Sequence, residues 1–315
     1  MNPDSGIVTV TLNPAIDHTV FVDRFTIGSV NRAGRSHRQA GGKGVNVSSM
    51  LGDFGLASTA TGFLGKANPR HFAELCKDKG ISDEFVRISG ETRTGIKIVE
   101  TSTRETTDIN SPGLEPSPAD LKRLMSKLRK LVSPGRWFVL AGSLPAGVSP
   151  DFFEEMLVML KRGGAEVAVD TSGEALAIAI ESGADLVKPN EHELADYLGH
   201  ALPDFASRVE AARELQREEV SHVILSMGGE GALFITPEDA LLASAPPVKV
   251  VSTVGAGDSL LAGYLAGLLT GRSAFERARL ATVFAWCAIE DIRRQLPSAA
   301  EITRRIPLIE VQSLM

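Results

Sequence analysis

From Pro116 onward the chain alternates short apolar runs with helical stretches, and that alternation admits few folds. Ser117-Pro118 reads as the start of a helix running to about Val132, and Trp137-Phe138-Val139-Leu140-Ala141 as a buried strand. Ser149-Pro150 opens a helix to Gly163, and Glu166-Val167-Ala168-Val169-Asp170 is the next strand. Strands separated by helices make βαβ units, hence a mostly parallel central sheet flanked by helices, the α/β class. Residues 185–190 add a short strand, and 222–232 a strand, a glycine turn and a second strand. Helices follow Gly271 to about Ile289 and again over 298–305. Near the start, Ile7-Val8-Thr9-Val10-Thr11-Leu12 is a strand stopped at Asn13-Pro14. Residues 57–63 form the second strand, and Pro69 starts a helix that ends at Gly80.

With 315 residues and 43% hydrophobic content, the chain has ample material for a core. No tandem repeat or proline-rich linker divides it, so residues 1–315 are expected to form one domain. A net charge of −6 offers no basic field for a nucleic-acid backbone. Cys76 and Cys287 are too few and too far apart for a metal cluster or a disulfide framework, and read as core thiols. The opening residues show no signal peptide, and the apolar helix near 260–269 is glycine-interrupted and too short for a bilayer. The expectation is a cytoplasmic protein with no membrane partner.

Two stretches, about 15–38 and 92–112, break the regular order with extended pieces carrying Arg24, Arg32, Arg35, Arg38 and Arg93. Together they suggest a small β-lid, with Arg93 and Asn110 at lid or hinge positions. Exposed lid edges suggest a homodimer that pairs them.

The chemistry concentrates where 248–254 runs through Gly255-Ala256-Gly257-Asp258 into an apolar helix. The reading is a buried strand, a glycine turn and a helix. Glycines permit positive φ and uncover N–H groups where the helix dipole is positive, a cradle for an anion. Asp258 there is either a first-turn acid or a base that takes a proton from an attacking hydroxyl. The second choice means phosphoryl transfer. Ala40-Gly41-Gly42-Lys43-Gly44-Val45-Asn46 opens another helix, where glycines allow close approach and Lys43 and Asn46 add a charge and an amide. It does not satisfy the P-loop pattern. Asp17 follows a strand exit, where sugar hydroxyls could bond it, and Ser143 lies directly after another strand. Asn190 and Glu193, three apart, suit a hydrated Mg²⁺ or a helix capping box, and the two roles are compatible.

Five motifs in order carry a resemblance. They are Thr11-Leu12-Asn13-Pro14-Ala15-Ile16-Asp17, Gly41-Gly42-Lys43-Gly44-Val45-Asn46, Gly142-Ser143-Leu144-Pro145-Ala146-Gly147, Val187-Lys188-Pro189-Asn190 with Glu193, and Ser252-Thr253-Val254-Gly255-Ala256-Gly257-Asp258. On these the chain resembles the PfkB carbohydrate kinases, of ribokinase-like three-layer fold, over essentially its whole length. Within the family it is similar to the phosphosugar branch of 1-phosphofructokinases, tagatose-6-phosphate kinases and minor 6-phosphofructokinases. Thr107-Asp108-Ile109-Asn110-Ser111-Pro112-Gly113 looks most like the first group, which implies fructose 1-phosphate as acceptor, with ATP and Mg²⁺. The resemblance makes Asp258 the general base and gives the transferring phosphoryl group to the amides of Gly255, Ala256 and Gly257. It puts Asp17, Gly42 and Asn46 on the sugar, with Asn110 and Ser143 on the same side, and Lys43, Arg32 and Arg93 on its phosphate. Lys188, Asn190, Ser226, Gly228, Gly231 and Thr253 fall on the ATP side, and Asn190 and Glu193 in the metal motif. Residues 285–291 lack the Asn and Gly common near the family's monovalent-cation site, which leaves K⁺ open. A catalytically silent sugar-phosphate sensor on the same fold is the reading of a different class.

Overall fold

The computed structural model describes residues 6–103, 105–217, 220–293 and 295–314. The expectation about a signal peptide falls partly on residues 1–5, which lie outside them. The chain begins with β1 (Ile7–Thr11), β2 (Ala15–Val22), β3 (Arg35–Gly41), α1 (Lys43–Asp53), β4 (Ser58–Gly65) and α2 (Arg70–Lys79). It continues through β5 (Ile81–Asp83), β6 (Val86–Ile88), β7 (Thr94–Glu100), β8 (Thr106–Asn110), α3 (Pro118–Leu131), β9 (Trp137–Ala141), α4 (Pro150–Arg162) and β10 (Glu166–Asp170). Then come α5 (Glu174–Glu181), β11 (Leu186–Val187), α6 (Glu191–Leu198), α7 (Phe205–Arg217), β12 (His222–Ser226), β13 (Ala232–Ile235) and β14 (Ala240–Ser244). The last elements are α8 (Ala256–Leu269), α9 (Ala274–Glu290), α10 (Ala299–Arg305) and β15 (Glu310–Ser313).

The main sheet runs β15-β14-β13-β12-β11-β10-β9-β1-β4-β5, with β6 also paired to β4. From β12 to β5 every pairing is parallel, and β13 to β15 continue it antiparallel. Because side chains alternate along a strand, each central strand feeds two cores. Val8, Val10, Phe138, Leu140, Val167 and Val169 pack under α3, α4 and α5, whereas Ile7, Trp137, Val139 and Ala168 pack under α1, α8 and α9. The result is three layers. A second sheet, β3-β2-β7-β8, is built from the two extended stretches that carry the arginines.

Three local expectations change. Residues 248–251 are not a buried strand: they carry no strand pairing, and Val250 is 39% exposed. Pro246-Pro247 cannot donate to a ladder, so the sheet leaves the chain after β14. The backbone N–H groups of Val251 and Ser252 instead bond Ile289 O at 2.7 and 3.2 Å. The strand expected over 185–190 is only Leu186–Val187, since Pro189 ends its donors. Asp17 is not at a strand exit but is the third residue of β2, because after Asn13-Pro14 the chain crosses directly into the second sheet.

Helix α8 is the most enclosed of the helices that reach the carboxyl edge of the sheet. Ten of its fourteen residues are buried, the signature of a helix covered on all sides. Its close fit to α9 depends on Gly263. A Cβ there would lie 2.7 Å from Ala281 Cα and 2.8 Å from Leu280 O, both backbone atoms that cannot swing away. Overpacking of this kind costs about 1–3 kcal/mol, against roughly 1 kcal/mol gained in helix propensity. Gly263→Ala is therefore expected to lower the urea midpoint despite favouring the helix; an unchanged or raised midpoint would show that α8 and α9 separate freely.

Candidate active site

Two helix N-termini converge at the carboxyl edge of the sheet. At α1, Gly42 has φ 119°, and a Cβ there would strike Thr11 Cγ2 at 2.8 Å. A Cβ on Gly44 would lie 2.5 Å from Thr11 Oγ1. Only glycines let the first turn of α1 press against the exit of β1, which presents Lys43 and Asn46 to the edge. At α8, Gly255 takes the left-handed φ of 82° and leads into Ala256, Gly257 and Asp258. The two turns meet in one bond: Asn46 Nδ2 donates to Asp258 Oδ2 at 2.6 Å. Asp258 is 6% exposed, so its carboxylate lies on the floor of the site rather than at its rim.

Behind this pair stands Asp170, the last residue of β10 and 1% exposed. Lys43 Nζ donates to its Oδ1 at 2.7 Å, and Lys188 Nζ stands 3.3 Å from its Oδ2. Lys188, 4% exposed, abuts the α8 turn; a Cβ on Gly257 would be 3.1 Å from its Nζ. The charges set one another's proton affinities. Burial pushes the Asp258 carboxyl up, the Asp170 charge adds to this, and Asn46, Lys43 and Lys188 pull against it. Asp170, although burial opposes its charge, is held below the ordinary carboxylate range by Lys188 and Lys43. Burial likewise opposes the charge on Lys43, yet Asp170, with Asp258 and Glu193, raises its ammonium above the usual range.

A second cluster gathers on the four-stranded sheet. Asp17 and Asn110 flank Gly95, whose Cβ would lie 3.5 Å from Asp17 Oδ1 and 3.2 Å from Asn110 Oδ1. Asp17 also leans over Gly41, where a Cβ would come within 2.6 Å of its Oδ2. Arg93 Nη2 donates to Asn13 O at 3.2 Å and Nη1 to Ser111 O at 3.5 Å, and Asn13 Nδ2 donates to Ser143 Oγ at 3.1 Å. Burial lowers the Arg93 pKa, while the Asp17 charge opposes that shift, so the two groups sense each other.

The third group lies beyond β11 and β12. Asn190 and Glu193 form a capping box on α6: Asn190 Oδ1 accepts from Glu193 N at 2.9 Å and Glu193 Oε2 from Asn190 N at 2.8 Å. Asn190 bridges to Ser226, while Gly228 and Gly231, at φ 55° and 101°, bound the turn beyond it. Thr253 is exposed just before α8. Among the described residues no group of three His, Cys, Asp or Glu side chains is set to hold a metal directly.

The structure thus joins Lys43, Asn46, Lys188 and Gly255 to Asp258 in one cluster, and Asp17, Arg93, Asn110 and Ser143 in another. Arg32 is left apart on the exposed β2–β3 loop, with no hydrogen bond or ion pair to either among the described residues. Sequence reasoning gave no role to Asp170 or to the side chain of Asn13. The rule that ligands meet the carboxyl ends of parallel strands would have flagged Asp170. Of the three turn amides expected to hold an anion, that of Ala256 already donates to Thr253 O at 3.3 Å. A buried acid of raised proton affinity, beside a helix N-terminus and two ammonium groups, can take a proton from an alcohol while an anion is held at its side.

Residues 10–300 match the pfkB family of carbohydrate kinases. The chain is 41% identical over 309 residues to a 1-phosphofructokinase of Rhodobacter capsulatus, covering 98% of each chain. It is 43% identical over 297 residues to the 1-phosphofructokinase of Xanthomonas campestris, covering 92% of this chain and 93% of that one. Among solved structures it is similar to Phosphofructokinase-2 from Escherichia coli in complex with substrates and products, with a TM-score of 0.91, 27% identity and coverage of 96% and 98%.

A carboxyl with raised proton affinity weakens the fold at neutral pH, where it must ionise, and not at acid pH, where it is protonated whether folded or unfolded. Asp258→Asn is expected to raise the unfolding temperature at pH 7.5, with the gain shrinking as the pH falls and gone below the ordinary aspartate value of about 3.9. A loss of stability at pH 7.5 would contradict the strained-acid description.

Proposed function

The chain belongs to the pfkB family of carbohydrate kinases, and from that premise we propose that it moves the γ-phosphoryl group of ATP to the 6-hydroxyl of fructose 1-phosphate. The products are fructose 1,6-bisphosphate and ADP. The observation that carries this reading is the buried Asp258 carboxylate at the head of α8, bonded by Asn46 and flanked by Lys188. In the step, the 6-hydroxyl oxygen bonds to the γ-phosphorus and gives its proton to Asp258. The bond from that phosphorus to the bridging oxygen breaks, leaving ADP. The amides of Gly255, Ala256 and Gly257 take up charge on the phosphoryl oxygens as it develops.

In this reading the acceptor lies between Asp258 and the four-stranded sheet, which acts as the lid of a single domain. Asp17, Gly42, Asn46 and Asn110 meet its hydroxyls, and Arg93 and Ser143 its phosphate. Arginine suits that task because its paired donors match phosphate geometry. ATP lies along Lys188, Asn190, Ser226, Gly228, Gly231 and Thr253. Mg²⁺ fits as a hydrated ion, since Asn190 and Glu193 are already bonded in the α6 cap and the ion ordinarily keeps several waters beside one or two carboxylates. Held there, it would neutralise phosphate charge.

A second copy of the chain pairs through the lid. Support comes from Val20, Ile96, Ile98 and Ile109, which share one face of the four-stranded sheet, Ile109 being 50% exposed. Ile27 and Val30 on the adjoining loop are 89% and 82% exposed. Among the described residues no helix is long and apolar enough to cross a membrane, and we place the enzyme in the cytoplasm.

Fructose 6-phosphate is the second reading, favoured by the likeness to Phosphofructokinase-2. A panel of fructose 1-phosphate, fructose 6-phosphate and tagatose 6-phosphate at equal concentration with Mg-ATP separates the two. The highest kcat/KM is expected for fructose 1-phosphate, and a clear preference for either 6-phosphate overturns the assignment. With the preferred acceptor, Asp258→Asn should lower kcat by about 10²- to 10⁴-fold.

A further inference from the structure

Lys43 does not sit where the family motifs would send it. By motif it suits the phosphate already on the sugar, yet its ammonium bonds Asp170, whereas Arg93 and Ser143 are held by Asn13. Asp170 meanwhile faces Lys188, which touches the α8 turn. The contacts are unequal: Oδ1 receives a short hydrogen bond from Lys43, whereas Oδ2 is buried with no hydrogen bond and only the 3.3 Å ion pair. Two ammonium groups beside a helix N-terminus, that of Lys188 buried and that of Lys43 partly exposed, repel each other and the dipole, so without a counter-charge they would not stay there.

We propose that Asp170 is a positioning residue whose two oxygens hold Lys43 and Lys188 at the α8 turn, so that both ammonium groups serve the phosphoryl group in transfer and Lys43 does not serve the acceptor's own phosphate. This rests on the kinase reading above. The loose side of the arrangement is the working side: Lys188, not locked to Oδ2, turns to the incoming phosphoryl oxygens while Lys43 stays anchored. Both lysines then act where charge develops, which lowers the barrier more than it tightens ground-state binding.

A merely structural ion pair would support the fold and nothing more, and the two roles separate in experiment. Asp258 is faced by Asn46 and Lys43 from α1, by Asp170 from β10 and by Lys188 from the turn before α6, while Glu193 of α6 acts on Lys43. Asp170→Asn removes the counter-charge and so releases both lysines from the α8 turn. kcat should then fall by roughly 10²-fold while KM for ATP stays the same or drops. A kcat within threefold of wild type, or a loss carried by a raised KM for ATP, overturns the proposal. Should D170N fold poorly, the charge-balanced pair Asp170→Asn with Lys43→Gln is compared with Lys43→Gln alone: a further fall in kcat with KM for ATP not raised supports the proposal, and no further fall, or a raised KM for ATP, overturns it. Wild-type protein inactive on every phosphosugar would sink the functional reading alone. Calorimetric binding of ADP then decides the hub: unchanged or tighter binding by D170N supports it, and weakening beyond about tenfold overturns it.

Discussion

The site rests on a buried carboxyl group whose charge its surroundings oppose. Burial disfavours the ionised form of Asp258, and the Asp170 charge adds to this. What favours the charge is the Asn46 amide, two ammonium groups and the peptide dipoles at the head of α8. None of these side chains is local to Asp258 in sequence; Asn46 is 212 residues away. The three-layer architecture exists, for function's sake, to bring the starts of α1 and α8 and the ends of β10 and β11 to one place. Glycines at 42 and 44 let the start of α1 close on the exit of β1, and Gly263 lets α8 seat against α9.

The regular half of the fold was legible because its signals are local. Ser117 and Ser149 cap helices through their own hydroxyls, and β-branched runs mark strands that feed two cores. Asp258 was legible for the same reason, since turn glycines and a first-turn acid lie side by side. The segment before it misled: Val248, Val250 and Val251 have strand composition, but Pro246-Pro247 had already ended the ladder and no neighbouring edge was open to them. Asp17 misled likewise, because a strand that stops at proline can restart at once in another sheet.

Asp170 was missed for a different reason. As the last residue of Glu166–Asp170 it looks like the polar end of a buried strand, and its partners arrive from residues 43 and 188. Only the packed structure shows that one acid answers two lysines. The same holds for Asn13, whose side chain bonds Ser143 and whose main-chain oxygen receives Arg93. Long-range polar convergence leaves almost no mark on composition or period.

The cap at the head of α6 has a consequence of its own. Asn190 and Glu193 satisfy two main-chain donors that would otherwise go unbonded at that end of the helix. A cation that drew the Glu193 carboxylate outward would release one of those donors, so occupancy and helix integrity would be competing claims on one side chain, and a tighter grip on an ion would come with a looser first turn.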